Sequence, residues 1–231
     1  MRDADIDPVR KLPLFSGMTA AHFDTLVGAA LLQRFPPQVT LIREGEVPDF
    51  LHILIEGAVE LLAAWDGRET TIEILRPVTT FILAAVIRDE VHLQSARTLT
   101  PARILMLPAE TVRDAFGRDA AFARAIVSDL AERYRSVVRI LKNQKLRTGT
   151  ERLANWIIGE SQRQGGGGRV VLAHDKRTLS SLLGMTPENL SRNFAELQMC
   201  GVRSAGREIV ISDEDALKRH AKPDSLIDES H

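Results

Sequence analysis

Pro108 divides this chain into two textures, and that division constrains the fold more than any other feature. Before it, short apolar runs alternate with turn residues. After it, apolar residues recur at helical spacing for about forty residues. Val39–Ile42 stops at Glu44, Gly45 and Glu46; Phe50–Ile55 stops at Glu56 and Gly57; Ala58–Trp65 stops at Asp66 and Gly67. Thr70–Leu75 then runs to Pro77, and Ile104–Leu107 runs to Pro108. The Asp66–Gly67 pair predicts a hairpin, because both residues tolerate the positive φ of a tight primed turn. A short helix precedes these runs. Thr19 is its expected N-cap, Phe23, Leu26, Val27, Ala30 and Leu31 are its apolar face, and Pro36 and Pro37 end it. Strands first and helices afterwards is the α+β pattern, with the strands forming a small antiparallel sandwich or roll.

Beyond Pro108, Ala120, Ala123, Val127, Leu130, Tyr134, Val137 and Leu141 follow 3-4-3-4 spacing, the seam of a coiled coil. Phe122, Ile126 and Val138 make a neighbouring stripe that can pack on the same chain's strands. Two apolar stripes on one helix satisfy two partners, so a homodimer is expected, with Val127, Leu130, Tyr134, Val137 and Leu141 as its seam. The helix ends in a basic tract of Arg133, Arg135, Arg139, Lys142, Lys145 and Arg147, free of acidic residues. Taken alone, that tract reads as a solvated face with cations suited to a helix C-terminus. Thr148–Thr150 breaks the pattern and marks the expected domain boundary. A further helix follows, with Leu153, Trp156, Ile157 and Ile158 inward. Gly165–Gly168 matches no phosphate-loop pattern and reads as a connector to a strand at Arg169–Leu172.

Asp175–Gln198 carries the most functional information. Asp175 caps a helix with Leu179, Leu182 and Leu183 inward, and Gly184 ends it. Thr186 and Pro187 start the next helix, which buries Leu190, Phe194 and Leu197. Helix, glycine turn and capped helix make a helix-turn-helix. Glu188, Ser191 and Arg192 project together from the N-terminal end of the second helix, the part that reaches base edges. Arginine can donate two parallel hydrogen bonds to guanine, glutamate can accept from cytosine, and serine can reach a base or phosphate. Gly201–Ile211 reads as a hairpin wing with Arg203 and Arg207 near its tip. From Arg147 to Ser212 there are nine basic and six acidic residues, a local net of +3 in a chain whose net charge is -1. Any attraction to a polyanion is therefore local.

These residues resemble the CRP/FNR superfamily of transcription regulators over nearly the whole length. Leu183–Arg192 matches the recognition-helix motif and is the specific part; Leu41–Glu46, Leu54–Val59 and Asp66–Gly67 match the roll. The resemblance implies a β-roll sensor domain over 1–118, a dimerisation helix over 119–146 and a winged helix-turn-helix over 147–231. It places Glu188, Ser191 and Arg192 at base-reading positions and Lys176 at a phosphate contact, with Arg177, Thr186 and Arg203 completing the expected phosphate set. The Glu-x-x-Ser-Arg form is similar to the branch that reads TTGAT-type half-sites in a pseudo-palindrome. Pro187 departs from an arginine common elsewhere. RNA polymerase is the further partner the resemblance implies.

Cyclic-nucleotide binders of this superfamily carry Phe-Gly-Glu at the start of a short helix and an arginine about a dozen residues later. Here the corresponding stretch is Phe81–Ala85, without the glycine and glutamate; His92 falls near the arginine's place, and Arg76–Thr79 replaces a usual glycine. Helix N–H groups, arginine and glutamate would have bound the phosphate and ribose, so cyclic AMP is not expected to bind. Cys200 is the single cysteine, which excludes the iron–sulfur branch. The remaining resemblance is to nitric-oxide-responsive denitrification regulators, which makes haem the candidate cofactor. Phe81, Leu83 and His92 are the expected effector pocket; His22 and His52 are alternative haem ligands, while His174 belongs to the DNA module. The other reading is a haem- or ligand-binding module acting through a protein partner. No metal-ligand spacing, nucleophile elbow or phosphate loop points to an enzyme. Met1–Arg10 is charged and carries Pro8, unlike a signal peptide, and no stretch reaches the roughly 18–20 apolar residues of a membrane span, so a cytoplasmic protein is expected. The segment from Lys222 to His231 is polar and expected to fray.

Overall fold

The computed structural model describes residues 3–228, which form two compact units divided between Arg133 and Tyr134. In the first, helices α1 (Asp3–Arg10), α2 (Pro13–Ser16) and α3 (Ala20–Gly28) precede strands β1 (Leu31–Phe35), β2 (Thr40–Ile42), β3 (Phe50–Glu56), β4 (Val59–Trp65), β5 (Arg68–Leu75) and β6 (Thr79–Phe81). Then come α4 (Leu83–Arg88), β7 (Ser95–Thr98), β8 (Ala102–Pro108), α5 (Ala109–Arg118) and the start of α6 (Ala120–Leu146). The strands build two antiparallel sheets of four, ordered β1-β8-β3-β6 and β2-β7-β4-β5. Asp66 (φ 50°) and Gly67 (φ 71°) make the β4–β5 turn, as the Asp-Gly signal predicts.

Sheet alternation sorts the core into two layers. On β3, Leu51, Ile53 and Ile55 face the helices, where Phe15, Phe23, Leu83, Val86 and Phe122 pack. Leu54 faces the other way, into a second cluster with Ile42, Val59, Leu75, Phe81 and Ile104 between the two sheets. The strand is buried on both faces, which explains why its sequence is continuously apolar rather than alternating.

Two expectations for the chain up to the end of α6 need correction. Ala30 and Leu31 do not continue α3; the helix closes at Gly28 and Leu31 opens β1. Leucine fits both periods, so the short run there is ambiguous from sequence. Leu130, expected in the seam, packs on the helix-side core of its own chain. Val138, assigned to the inward stripe, is exposed alongside Val127, Tyr134, Val137 and Leu141; the last four each expose more than half their surface. Phe122 and Ile126 are buried as expected.

The second unit holds the end of α6, then α7 (Gly149–Arg163), β9 (Arg169–Val171), α8 (Lys176–Leu182), α9 (Pro187–Leu197), β10 (Val202–Ala205), β11 (Glu208–Ile211) and α10 (Glu214–Ala221). Its strands form one antiparallel sheet ordered β10-β11-β9. Leu153, Ile157, Leu179, Leu190, Leu197, Val202, Ile209 and Leu217 supply its core. The basic tract is less solvated than its composition suggests. Arg133 donates to Asp129 at 2.6 Å and to the Thr80 carbonyl at 2.8 Å, and Arg147 is buried against Asp228. The residues from Lys222 to Asp228 consequently do not fray: Leu226 accepts from Lys142 and Asp228 pairs with Arg147, while 229–231 lie outside the described residues.

Candidate nucleic-acid interface

The helix-turn-helix is assembled by local hydrogen bonds that the sequence specifies. The Thr178 N–H donates to Asp175 Oδ1 at 2.8 Å, capping α8. At the other end the Gly184 N–H donates to the Ser181 carbonyl and the Met185 N–H to the Ser180 carbonyl, both at 2.9 Å. This is a Schellman closure, and it requires the left-handed φ of 62° that glycine adopts at little cost. Two residues later the Thr186 hydroxyl accepts from the Asn189 N–H at 3.2 Å, and Pro187 supplies a preset first helical residue.

Glu188, Ser191 and Arg192 are all exposed on α9, while Leu190, Phe194 and Leu197 are buried beneath them. Their roles in the free chain differ. Ser191 donates to the Pro187 carbonyl one turn earlier at 3.0 Å, so its hydroxyl is already engaged within α9. The Glu188 carboxyl is held below its usual range by its own main-chain N–H, by the Thr186 hydroxyl and by the nearby Arg192 charge. Thr186, expected as a phosphate contact, caps α9 and also neighbours the Glu188 carboxyl. Lys176 and Arg177 are exposed at the start of α8, with Lys176 Nζ 5.3 Å from the Phe194 ring centroid. Arg203 is exposed on β10 and Arg207 at the hairpin tip beside Gly206.

Two residues that the motif does not single out hold α9 in place. Asn193 accepts from the Thr150 hydroxyl at 3.2 Å, and its amide lies 3.3 Å from Met185 Sδ. Arg152 donates to the carbonyls of Arg147 at 2.8 Å and Leu183 at 3.0 Å. Both are polar residues on faces that read as solvent, and no sequence spacing distinguishes such residues from surface ones.

In the first unit the expected effector residues do not form one pocket. Phe81 lies between the sheets, whereas Leu83 is buried on the helix side with α3 and α5. His22 is committed elsewhere: its Nδ1 lies 2.7 Å from Asp119 Oδ2, while Asp119 Oδ1 caps α6 by accepting from the Ala121 and Phe122 N–H groups. The Phe122 N–H and then His22 hold the Asp119 carboxyl at about 2. His52 is the residue beside Phe81. Across three neighbouring strands Met106, His52 and Phe81 stand in register, and the imidazole stacks on Phe81 with centroids 5.3 Å apart. His52 and His92 expose 5% and 4% of their surface, and the Nδ1 atom of each is buried without a hydrogen-bond partner among the described residues.

Burial, and next the nearby His92, lower the His52 pKa from 6.5 to about 4. The unfolded chain therefore takes up this proton more readily, and native stability present above pH 6.5 is lost as the pH falls toward 4. Between pH 7 and 4.5 the expected loss from this residue is about 2–3 kcal/mol. Urea unfolding of the parent and of His52→Phe at both pH values checks it: the variant should lose that much less, and equal losses would refute the assignment.

Comparison with known proteins agrees with this geometry. Residues 32–119 match the cyclic nucleotide-binding domain family and residues 151–220 the Crp-like helix-turn-helix domain family. The chain is 26% identical over 215 residues to a CRP-like cAMP-activated global transcriptional regulator of Mycobacterium tuberculosis, covering 90% of this chain and 96% of that one. FixK2 from Bradyrhizobium japonicum shares the fold at a TM-score of 0.71 and 20% identity, over 87% of this chain and 98% of that one. A protein assigned to the CRP/FNR family of transcriptional regulators from Eubacterium rectale does so at 0.76 and 18%, over 92% and 99%.

Proposed function

We propose, on the premise that the chain belongs to the CRP/FNR superfamily of DNA-binding transcription regulators, that it works as a homodimer on a pseudo-palindrome of TTGAT-like half-sites. The observation that carries this reading is the exposed Glu188, Ser191 and Arg192 set at the capped N-terminal end of α9. In this reading Arg192 donates to a guanine edge, Glu188 accepts from a cytosine, and Lys176, Arg177 and Arg203 hold phosphates. Val127, Tyr134, Val137 and Leu141 supply the seam, so a two-fold axis relates two recognition helices to two half-sites. RNA polymerase is the partner that would read the occupied site.

The relative's cyclic-AMP activation does not carry over. At the place of the nucleotide cradle, α4 is a six-residue helix with no acidic residue in its first turn, and Leu83 and Val86 are turned into the core. Ile82 caps it at φ 57°, a left-handed conformation that a β-branched residue adopts only under strain. Haem is a better fit in donor chemistry, because His52 Nδ1, beside Phe81, and His92 Nδ1 are both buried without hydrogen-bond partners among the described residues. Either imidazole would hold the iron, and the group would supply a binding site for a diatomic gas such as nitric oxide. Phe81 and Phe50 flank His52 and would exclude water from that side of the ring. A change in this interior would shift the population of DNA-competent dimers.

Selection of bound DNA from a random duplex pool, with and without haem, nitric oxide and cyclic AMP, tests both halves of the proposal. Enrichment of paired TTGAT-like half-sites, unchanged by cyclic AMP, is expected. Micromolar cyclic AMP binding that alters DNA affinity would refute the effector reading, and an unenriched pool under every condition would refute the DNA reading.

A further inference from the structure

The link between α6 and α7 is two residues long, Arg147 and Thr148, with Thr148 in extended geometry as the N-cap of α7. Nothing in so short a link fixes the angle between the helices except what packs against it. The side chain that does so is Arg147, which is only 7% exposed despite its charge. Its guanidinium grips the Asp228 carboxylate with two parallel hydrogen bonds of 2.6 Å. It also donates to Asn143 Oδ1 at 3.2 Å, in the last turns of α6, and to the Lys222 carbonyl at 3.4 Å.

The segment Lys222–Asp228 makes two further attachments to the same corner. Lys142 Nζ on α6 donates to the Leu226 carbonyl at 3.1 Å. Lys222 Nζ reaches Glu151 Oε1 at 3.0 Å, and Glu151 is the residue whose other oxygen completes the capping box of α7. The segment thus touches the helix before the link, the link itself and the helix after it.

From the link the contacts continue to the recognition helix. The Arg147 carbonyl accepts from Arg152, and Arg152 also donates to the Leu183 carbonyl at the end of α8 and to the Gly184 carbonyl at 3.4 Å. Gln144 of α6 lies against the same turn, where a Cβ on Gly184 would come within 2.7 Å of its amide oxygen. Gly184 is two residues before the cap of α9. We propose that Lys222–Asp228 is a positioning strap for DNA reading: Asp228, through Arg147 and Arg152, sets the angle between the long helix and the recognition helix. Arg147 and Asp228 are positioning residues that do not meet DNA. The inference rests on the proposed DNA reading for its functional consequence, and on the hinge contacts alone for its structural one.

Two readouts on the full-length protein separate these. Duplexes carrying two half-sites at a series of spacings report how rigidly the two recognition helices are held. The parent gives a sharp optimum. Asp228→Asn is expected to lose about tenfold in affinity at that optimum and to flatten the spacing profile, with non-specific affinity unchanged. Asp228→Glu, which keeps the charge, restores most of the preference. The distance between spin labels at Lys145 and Ala195, with Cys200 replaced by serine, reads the hinge without DNA, and its distribution should broaden in Asp228→Asn. If Asp228→Asn does not fold, Lys142→Ala, which removes a more exposed attachment, gives the same broadening and flattening to a smaller degree. A variant that folds and keeps both the parent's spacing profile and its distance distribution overturns the strap. Broadening in a protein that binds no duplex upholds the strap at the hinge and overturns the DNA reading instead.

Discussion

Val137→Glu is expected to leave the protein monomeric and to weaken its hold on a palindromic duplex by at least about 100-fold. Val137 stands midway along an exposed apolar row with Val127, Tyr134 and Leu141 on α6, a helix about 40 Å long. The neighbouring stripe of that helix, Phe122 and Ile126, is already buried against its own chain, so the row is available to a second copy. Burying each such side chain in a seam contributes about 1.5–3 kcal/mol. A carboxylate placed there has no partner, and two-fold symmetry installs it twice, so the cost is several kcal/mol. The DNA consequence follows because a monomer engages one half-site and forfeits the second. Sedimentation at micromolar concentration distinguishes the outcomes: the parent runs as a dimer and the variant at half that mass. A variant that remains dimeric would move the interface elsewhere. Leu130→Ala provides the contrast, since that residue packs on its own chain's core and its truncation lowers thermal stability as well.

Arg192→Ala is expected to remove specific binding while leaving the fold intact, because the side chain is exposed on α9 and the buried face beneath it is unchanged. A bidentate contact to a base is worth about 1–3 kcal/mol, and the dimer makes it in both half-sites, so specific affinity falls by about 2–6 kcal/mol. Non-specific affinity should barely move. Lys176→Ala should do the reverse: it weakens all duplexes alike, and the steepness of the salt dependence falls by about one counterion for each phosphate that is no longer neutralised. Filter or gel-shift titrations at two salt concentrations, with specific and scrambled duplexes, separate these signatures.

The residues that specify local geometry were legible in the sequence. Asp66–Gly67 announced its hairpin, Asp175 and Thr186 their caps, and Gly184 its left-handed closure, because each of these is decided within a few residues. Leu190, Phe194 and Leu197 determine which face of α9 is buried and therefore which face stays exposed. The misreadings involve decisions made by distant parts of the chain. Leu31 has no local reason to open a strand; its partner Met106, far along the chain, provides it. Arg147 and Asp228 look like surface charges until the chain brings them together, and for that reason the C-terminal segment reads as frayed from sequence alone. Phe81 and Leu83 are two residues apart, yet a short strand ends and a helix begins between them, so they face different cores. His52 is inconspicuous in an apolar strand, and only the register with Met106 and Phe81 places it in the interior of the first unit.

The base-reading assignment of Arg192 carries the whole account, and a cross of protein and base-pair substitutions tests it most directly. Parent and Arg192→Ala are each titrated with a paired TTGAT-like duplex and with one in which the G·C pair of both half-sites is replaced by A·T. On that replacement the variant, which keeps only the Glu188 contact to the cytosine, should lose about 1–3 kcal/mol less per half-site than the parent. A variant that discriminates against the altered duplex as strongly as the parent would show that Arg192 does not read that base pair.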